Sequence, residues 1–220
     1  MIELAGVSRR YGERLALDGV SITLAEGQTL GVFGSNGAGK TTLLRLLATL
    51  LRPHGGTARV LGCELPGESW KVRGRVGYIG HDSLLYRDLT TRENLLFHAR
   101  LHSVDVERVD ELLGAVRLAR RADEPLTNLS RGMVQRAAVA RALLHDPPLL
   151  LLDEPRANLD PKVAEQLEPL IGRASGRTRV LVTHDVENGL AESDVVLGLR
   201  RGRAEITGTA DMRTLRELYR

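Results

Sequence analysis

The chain has 220 residues, a formal net charge of +3, and hydrophobic and charged fractions of 42% and 27%, values that are ordinary for a soluble globular protein. This length suits one α/β domain with a substantial core. No basic run accompanies a series of stacking aromatic side chains, so the composition gives nucleic-acid binding little support.

The cysteine content and the apolar runs indicate the compartment. Cys63 is the single cysteine, which excludes an internal disulfide and is typical of a reducing compartment. The first residues contain no basic and apolar signal region, and Arg45 and Arg52 interrupt the longest leucine-rich stretch. A bilayer-spanning helix needs roughly 18 apolar residues. We therefore predict a cytosolic chain whose membrane role would come through a partner.

The first third of the chain alternates between strand and helix signals. Alternating apolar residues predict β-structure over the first thirty residues, and a short apolar run predicts a strand at 29–33. Leucines at 43, 44, 46, 47, 50 and 51 then recur at helical spacing, which predicts a helix ending before Pro53. Further strands are predicted at 57–61 and 76–79, the first of them after a turn at His54-Gly55-Gly56.

The middle of the chain is predicted to be helical, and the last third alternates again. Helices are expected at 92–101, 106–116, 133–144, 163–174 and 186–191, and strands at 149–152, 179–183 and 195–199. Uninterrupted apolar strands suit a parallel sheet covered on both faces. The order predicts one α/β domain over 1–220. Its mostly parallel core comes from 1–81 and 148–220, with an N-terminal antiparallel part and a helical insert at about 82–147.

A glycine-rich segment lies between the strand at 29–33 and the leucine-rich helix. It consists of Gly34, Ser35, Asn36, Gly37, Ala38, Gly39, Lys40, Thr41 and Thr42. The segment fits G-x-x-x-x-G-K-[ST], the phosphate-binding loop, whose backbone N–H groups surround phosphates at a helix N-terminus. Lys40 would reach the β- and γ-phosphates, and the Thr41 hydroxyl would hold Mg²⁺. The sequence therefore predicts a nucleoside-triphosphate site.

Two acids and a histidine follow later strands. Asp153 ends the strand at 149–152, where its carboxylate can hold Mg²⁺ directly or through water. Glu154 is expected to face the other way on the pleated strand, free to orient and deprotonate the water that attacks the γ-phosphate. His184 follows the strand at 179–183, on the edge where α/β folds bind ligands. It could donate to the γ-phosphate and position Glu154.

A second anion site is predicted where the helix at 133–144 begins. Ser130 is a good N-cap. Its hydroxyl, the Gly132 N–H and the helix dipole together could bind a phosphate. A simply capped helix is the alternative interpretation.

The order of these motifs resembles the ATP-binding subunit of ABC transporters over essentially the whole chain. The resemblance implies a RecA-like P-loop NTPase fold with ATP and Mg²⁺ as ligands. It implies that 129–133 is the family signature, which closes on the ATP of a second subunit, so that two ATPs lie in a head-to-tail dimer. Asn158-Leu159-Asp160 would link the two sites. Tyr11 matches the residue that stacks on adenine, although a structural strand-end tyrosine is the alternative.

Two departures from the family pattern stand out. Arg131 and Met133 replace the third and fifth residues of the usual Leu-Ser-Gly-Gly-Gln, while Ser130 and Gly132 are retained. His81 stands where the family normally has glutamine. Imidazole can meet a metal-bound water or a phosphate, and it titrates near neutral pH. We hypothesise that His81 belongs to the metal site and couples the γ-phosphate to the helical insert.

The segments 77–81 and 89–95 are similar to the cytochrome c maturation, or haem-exporter, branch of the family. This similarity implies an ATPase that binds an integral membrane permease at the cytoplasmic side of the cell membrane and drives export. A drug or lipid exporter is the alternative. A soluble ATPase switch would carry a long coiled-coil insertion or two cassettes, and a P-loop kinase an arginine-rich lid. The sequence contains none of these features.

Overall fold

The computed structural model describes residues 1–157 and 159–219. In chain order its strands are β1 (Ile2–Tyr11), β2 (Arg14–Leu24), β3 (Thr29–Phe33), β4 (Gly55–Val60), β5 (Cys63–Leu65), β6 (Val76–Ile79), β7 (Leu149–Asp153), β8 (Thr178–Val182), β9 (Val195–Arg200) and β10 (Arg203–Gly208). Its helices are α1 (Lys40–Leu47), α2 (Ser69–Arg73), α3 (Thr91–His102), α4 (Glu107–Ala115), α5 (Arg131–Leu143), α6 (Pro161–Ile171), α7 (Val186–Glu192) and α8 (Met212–Glu217).

The strands form two sheets. One is antiparallel, in the order β2-β1-β4-β5, and the other has six strands in the order β10-β9-β3-β8-β7-β6. Within the second sheet, β3, β6, β7, β8 and β9 run parallel, and β10 pairs antiparallel with β9. The predicted α/β class, with a mostly parallel core, an antiparallel part and helices between β6 and β7, is confirmed.

Strand β7 explains how the two halves of the core meet. Leu149 and Leu151 belong to the apolar cluster that contains α1 and the antiparallel sheet. Leu150 and Leu152 belong to the cluster that contains α3, α4 and α5. Successive side chains of a strand point to opposite faces, so an unbroken leucine run fills both layers.

Helix α1 ends earlier than its leucine spacing predicts. The backbone of Thr49 takes a left-handed conformation (φ 61°), and the Leu50 N–H donates to the Arg45 carbonyl at 2.9 Å. This 6→1 bond, with Thr49 N–H bonded to the Leu46 carbonyl, is the Schellman termination of a helix. Leu50 is exposed and does not extend the buried face.

Several short or polar elements of the structure carry too little sequence signal to be predicted. Strand β5, helix α2, strand β10 and helix α8 were not predicted, and the glycines expected in a turn at 55–56 lie in β4. Strand β10 is exposed at every second position and carries little apolar signal. Helix α2 presents Trp70 to solvent, 71% exposed, with the Lys71 ammonium 5.5 Å from its ring centroid.

Candidate nucleotide-binding site

The glycine loop between β3 and α1 requires glycine at its ends. Gly34 has φ 142°, and a Cβ built there would lie 2.2 Å from the Leu199 carbonyl oxygen. Gly39 has φ 113°, and its Cβ would lie 2.5 Å from the Ala16 carbonyl oxygen. Larger residues would therefore be both strained and in collision with backbone, so the loop conformation fixes these two positions of the motif.

Lys40 is the first residue of α1 and folds back over the loop. Its ammonium donates to the carbonyl oxygens of Gly34 at 2.6 Å and Ser35 at 3.1 Å. Burial lowers the pKa of Lys40, opposed by the charges of Asp153 and Glu154. The N-cap residue of α1 is Gly39, which has no side chain with which to cap the helix. The helix N-terminus and a buried cation thus suit an anion held in this loop.

Thr41 and Asp153 supply a pair of oxygen ligands next to the loop. The Thr41 hydroxyl donates to the Asp153 carboxylate at 2.9 Å, which joins the start of α1 to the end of β7. The Thr41 hydroxyl and the Asp153 carboxylate both offer oxygen atoms of the kind that hard cations prefer as ligands. Mg²⁺ commonly takes one or two protein oxygens and completes its octahedron with phosphate oxygens and waters. The donor set therefore fits Mg²⁺ bound together with a nucleotide.

Glu154 reaches the site by a different route from the one predicted. Strand β7 ends at Asp153, and Glu154 takes a left-handed backbone conformation (φ 52°) with its N–H bonded to the Val182 carbonyl. The expected pleat alternation at Glu154 is therefore wrong, because the backbone reverses its handedness there. Such a conformation costs roughly 1–2 kcal/mol in a non-glycine residue. Backbone strain of this kind is concentrated at functional sites.

The Glu154 carboxylate is poised close to His184. Its Oε1 is buried and finds no hydrogen-bond partner among residues 1–157 and 159–219; His184 Nε2 lies 3.7 Å away. Burial raises the pKa of Glu154, opposed by the charge of His184. A raised pKa makes the ionised carboxylate a stronger base. The unmet oxygen is available to a water or a ligand hydroxyl.

One cleft of about 360 Å³ brings most of the predicted residues together. Its lining includes Tyr11, Asn36, Gly37, Gly39, Lys40, Thr41, Thr42, Asp153, Glu154 and His184. Tyr11 is 46% exposed at its edge, with the Arg9 guanidinium 5.2 Å from its ring centroid. Gly34, Ser35 and Ala38 do not line the cleft but form the loop beneath it.

The predicted signature residues lie outside this cleft. Ser130 is the N-cap of α5, and its hydroxyl accepts from the Met133 N–H at 3.3 Å. Ser130 and Arg131 are exposed, and Gly132 is half-buried. Asp160 is the N-cap residue of α6 without a side-chain cap. Asn158, expected to take part in the same linking loop, lies outside the described residues.

His81 lies at the edge of the site. It is exposed and lines one shallow cleft with Thr41 and Tyr78, and another with Arg131 and Gln135. It does not line the cleft that contains Lys40. The structure therefore places His81 between the glycine loop and the start of α5, and its metal role stays a prediction.

Two polar residues at the site, Arg14 and Tyr219, were not predicted. Arg14, at the start of β2, lines the cleft and donates to the Gly37 carbonyl at 3.2 Å. The Tyr219 hydroxyl accepts from the Gly34 N–H at 3.3 Å across 185 residues of sequence. A local pattern cannot reveal contacts of this range, so neither residue carried a signal.

A strand, a glycine loop, a buried lysine and an acid at the end of a parallel strand of the same sheet together define a P-loop nucleotide-binding domain. The profile of the family described as "ABC transporter" matches residues 17–157. The chain therefore belongs to the ABC transporter family, whose ATP-binding cassettes are ATPases coupled to transport.

Relatives and solved structures agree with this assignment. The chain is 39% identical over 215 residues to the Nod factor export ATP-binding protein I of Sinorhizobium fredii (strain NBRC 101917 / NGR234), covering 94% of this chain and 62% of that protein. It is 38% identical to the daunorubicin resistance ATP-binding protein DrrA3 of Streptomyces coeruleorubidus, covering 96% and 68%. The chain thus spans about two thirds of the length of these relatives.

Among solved structures, an ATP-binding subunit of an ABC transporter superposes with a TM-score of 0.90 at 28% identity, covering 99% of both chains. The ATP-binding cassette MJ0796, in a dimeric post-hydrolysis state bound to ADP and Pi, gives a TM-score of 0.85 at 28% identity, covering 95% of this chain and 98% of that chain. Within residues 1–157 and 159–219, no helix combines the length and the apolar character that crossing a bilayer demands.

Proposed function

We propose that this chain binds and hydrolyses ATP as the motor subunit of an exporter. The observation that carries the proposal is the cleft in which Lys40, Thr41, Asp153, Glu154 and His184 converge. In that cleft the loop N–H groups and Lys40 hold the phosphates, and Tyr11 stacks on the adenine. Thr41 and Asp153 would hold Mg²⁺, which would neutralise charge on the phosphates.

Hydrolysis depends on the two groups at the ends of β7 and β8. Glu154 accepts a proton from the attacking water, and its buried, unmet Oε1 favours this role. His184 Nε2 lies 3.7 Å from the carboxylate, where it can orient that group, and from its place in the lining of the cleft it would donate to the γ-phosphate. Lys40 stabilises the charge on the transferring phosphoryl group from a position that burial has already desolvated.

A second copy of the chain completes the site. Ser130 and Gly132 sit at an exposed helix N-terminus that does not face the cleft of their own chain. An exposed, capped helix N-terminus attracts anions. In a head-to-tail homodimer each α5 end would contact the triphosphate held by its partner, with Asp160 in the segment between the sites. The dimeric state of the MJ0796 cassette supports the pairing of two copies.

The helical insert at about 82–147 is the proposed contact to a membrane permease. Leu84, Tyr86, Phe97 and Leu101 are exposed there, with the rings of Tyr86 and Phe97 packed edge to face at 5.3 Å. Grouped exposed apolar side chains are typical of protein interfaces. His81 borders this segment and could pass the state of the γ-phosphate to it. The chain would then work at the cytoplasmic side of the cell membrane.

The relatives' names bear on the cargo. Those reported concern Nod factor export and daunorubicin resistance, and they support the drug- or lipid-exporter alternative. They give no support to the haem-exporter branch. The proposed activity is therefore export of the kind named for these relatives, with the cargo selected by the permease.

The decisive experiment removes the proposed base. Glu154→Gln keeps the size of the side chain but not its proton affinity, so ATP binding should persist while turnover falls at least about 10²-fold. The ATP-bound dimer should accumulate, which solution scattering or crosslinking in ATP and magnesium would detect.

Glu165→Gln is the matched control, because Glu165 is exposed on α6. It should hydrolyse ATP at the wild-type rate and remain in nucleotide-dependent exchange between monomer and dimer. Wild-type turnover by Glu154→Gln, or a variant that stays monomeric at saturating ATP, would overturn the proposed mechanism.

A further inference from the structure

The segment that follows Glu154 contains the buried Pro155 and is also held by several polar contacts. Glu154 starts it in a left-handed conformation, and the Ala157 N–H donates back to the Glu154 carbonyl at 3.0 Å. From α5, the Gln135 amide donates to the Pro155 carbonyl at 3.2 Å. The turn 154–157 therefore needs outside support to keep the Glu154 carboxylate in place.

Arg156 provides a second attachment of the turn, to elements other than α5. Its guanidinium forms an ion pair with Glu168 of α6 and another with Glu192 at the end of α7, the latter at 2.7 Å. A planar guanidinium can serve two carboxylates at once, which a lysine ammonium does less well. One side chain thus ties the turn to two helices.

Glu192 connects Arg156 to the interior of the protein. Its second oxygen pairs with Arg179 at 2.8 Å, and the Arg179 side chain is only 1% exposed. Arg179 in turn donates to the Thr29 hydroxyl at 2.9 Å and to the Ile171 carbonyl at 3.2 Å. Buried ion pairs that are also hydrogen-bonded hold their geometry well, since losing one partner leaves a buried charge. The attachment of Arg156 is therefore anchored in the sheet.

A cavity beside the turn 154–157 explains why ion pairs, and not apolar packing, hold the turn on this side. About 240 Å³ of space lies beside the turn and is lined by Glu154, Arg156, Leu181 and Glu192, among others. Side chains that border a cavity lack packing contacts on that side. Apolar packing therefore cannot fix the turn from there, and the Arg156 ion pairs bridge the edge of the space.

We propose that Arg156 is a positioning residue for ATP hydrolysis, which holds the 154–157 turn so that the Glu154 carboxylate addresses the attacking water. The proposal rests on the proposed function, in which Glu154 is the base. It assigns to the Arg156–Glu192–Arg179 network a role in the chemical step, while nucleotide binding depends on the glycine loop.

The test uses Arg156→Met, which keeps the length of the side chain and removes its charge. The turnover number should fall about tenfold, because misplacement of a reacting group by a fraction of an ångström to 1 Å costs up to about 10²-fold in rate. ATP affinity and KM should stay within about twofold, and the melting temperature should remain close to that of the wild type. A merely structural role would lower stability and ATP affinity together.

Two more variants make the assignment specific. Arg156→Lys should recover part of the lost rate, since it restores one of the two ion pairs. Glu168→Gln should slow turnover less than Arg156→Met, and the double variant should be no slower than Arg156→Met alone. Arg177→Met is the control, because Arg177 pairs with Asp146 and lies outside the turn. It should hydrolyse ATP at the wild-type rate.

The outcomes separate this inference from the proposed function. Wild-type turnover by Arg156→Met, alongside an inactive Glu154→Gln, would overturn the role of Arg156 and leave the ATPase intact. Equal losses in turnover and ATP affinity would also overturn it. A wild-type chain without ATPase activity would overturn the proposed function itself. Should Arg156→Met fail to fold, Arg156→Lys and Glu168→Gln decide on the same turnover measurements.

Discussion

The N-terminal ends of α1 and α5 are both suited to contact an anion, but they differ in how far their own chain encloses them. Both offer free backbone N–H groups and the positive end of a helix dipole. Helix α1 begins inside the glycine loop, with Lys40 only 7% exposed and bonded to loop carbonyls. Helix α5 begins directly after the exposed N-cap Ser130, whose hydroxyl accepts from the Met133 N–H. One end is enclosed by its own chain, and the other is open to a neighbour.

The difference originates in packing. In α1 the leucines at 43, 44, 46 and 47 are fully buried, so the core holds the helix from its first turn. In α5 the fully buried residues start at Ala137, two turns after the helix begins. A phosphate-binding end supported by the core forms a complete half-site. An end that projects from the core can reach a ligand held by another molecule.

The largest effect is expected at the enclosed end. Lys40→Met removes the buried cation, and ATPase activity should fall by about 10²–10³-fold, as for other preorganised charge-stabilising groups. Steady-state hydrolysis by purified protein measures this loss. Lys71→Met, on exposed α2, should retain full activity. Equal ATPase rates for Lys40→Met and Lys71→Met would show that the N-terminus of α1 does not bind the phosphates.

A smaller but more selective effect is expected at the open end. Ser130→Asp keeps a good N-cap and adds a charge that suits the helix dipole, so the chain should stay folded. The same charge would repel a neighbour's triphosphate. Dimer formation by the Glu154→Gln protein should therefore need at least about tenfold more ATP, while ATP binding by the monomer is unchanged. Equilibrium binding measures the ATP affinity of the monomer, and light scattering measures dimer formation. If Ser130→Asp weakened both to the same extent, the proposed difference between the ends of α1 and α5 would be wrong.

The smallest expected effect is a loss of stability at acidic pH, caused by buried histidines on α3 and just after α5. Burial, followed by the charge of Arg141 and the proximity of His102, lowers the pKa of His98 on α3 to about 4; His145, just after α5, is lowered to about 4, chiefly by burial. Because the unfolded chain takes up these protons near pH 6.5, stability should decrease as pH falls from 6.5 towards 4.

Thermal melting at a series of pH values would test this decrease. The drop should amount to a few degrees, and His98→Leu should make it shallower, because one of the histidines with a lowered pKa is then absent, while His102 and His145 remain. An identical slope in the variant would mean that His98 is not held neutral in the fold.

The sequence predicted well whatever is encoded locally. Three short segments could be predicted from their own residues: the glycine loop, the leucine run of β7 with Asp153 at its end, and the strand before His184. The structure brings all three into one cleft. Parallel strands place their carboxyl ends at a common edge, which is why separate motifs converge.

What failed was decided by tertiary context. The handedness of Glu154 depends on its N–H reaching Val182, and the early end of α1 depends on a left-handed Thr49. Arg14 and Tyr219 join the site from distant elements. Strand β10 is a polar edge strand whose pairing with β9 supplies the order that its own residues do not indicate.

The solvent-exposed indole on α2 has a practical consequence for measuring any of this. Trp70 is the single tryptophan of the chain, and it lies outside the lining of the nucleotide cleft. Intrinsic emission at long wavelength will therefore report on water around α2 and remain silent when ATP enters. An optical sensor for nucleotide occupancy therefore has to be introduced at the rim of that cleft, at a position other than Tyr11.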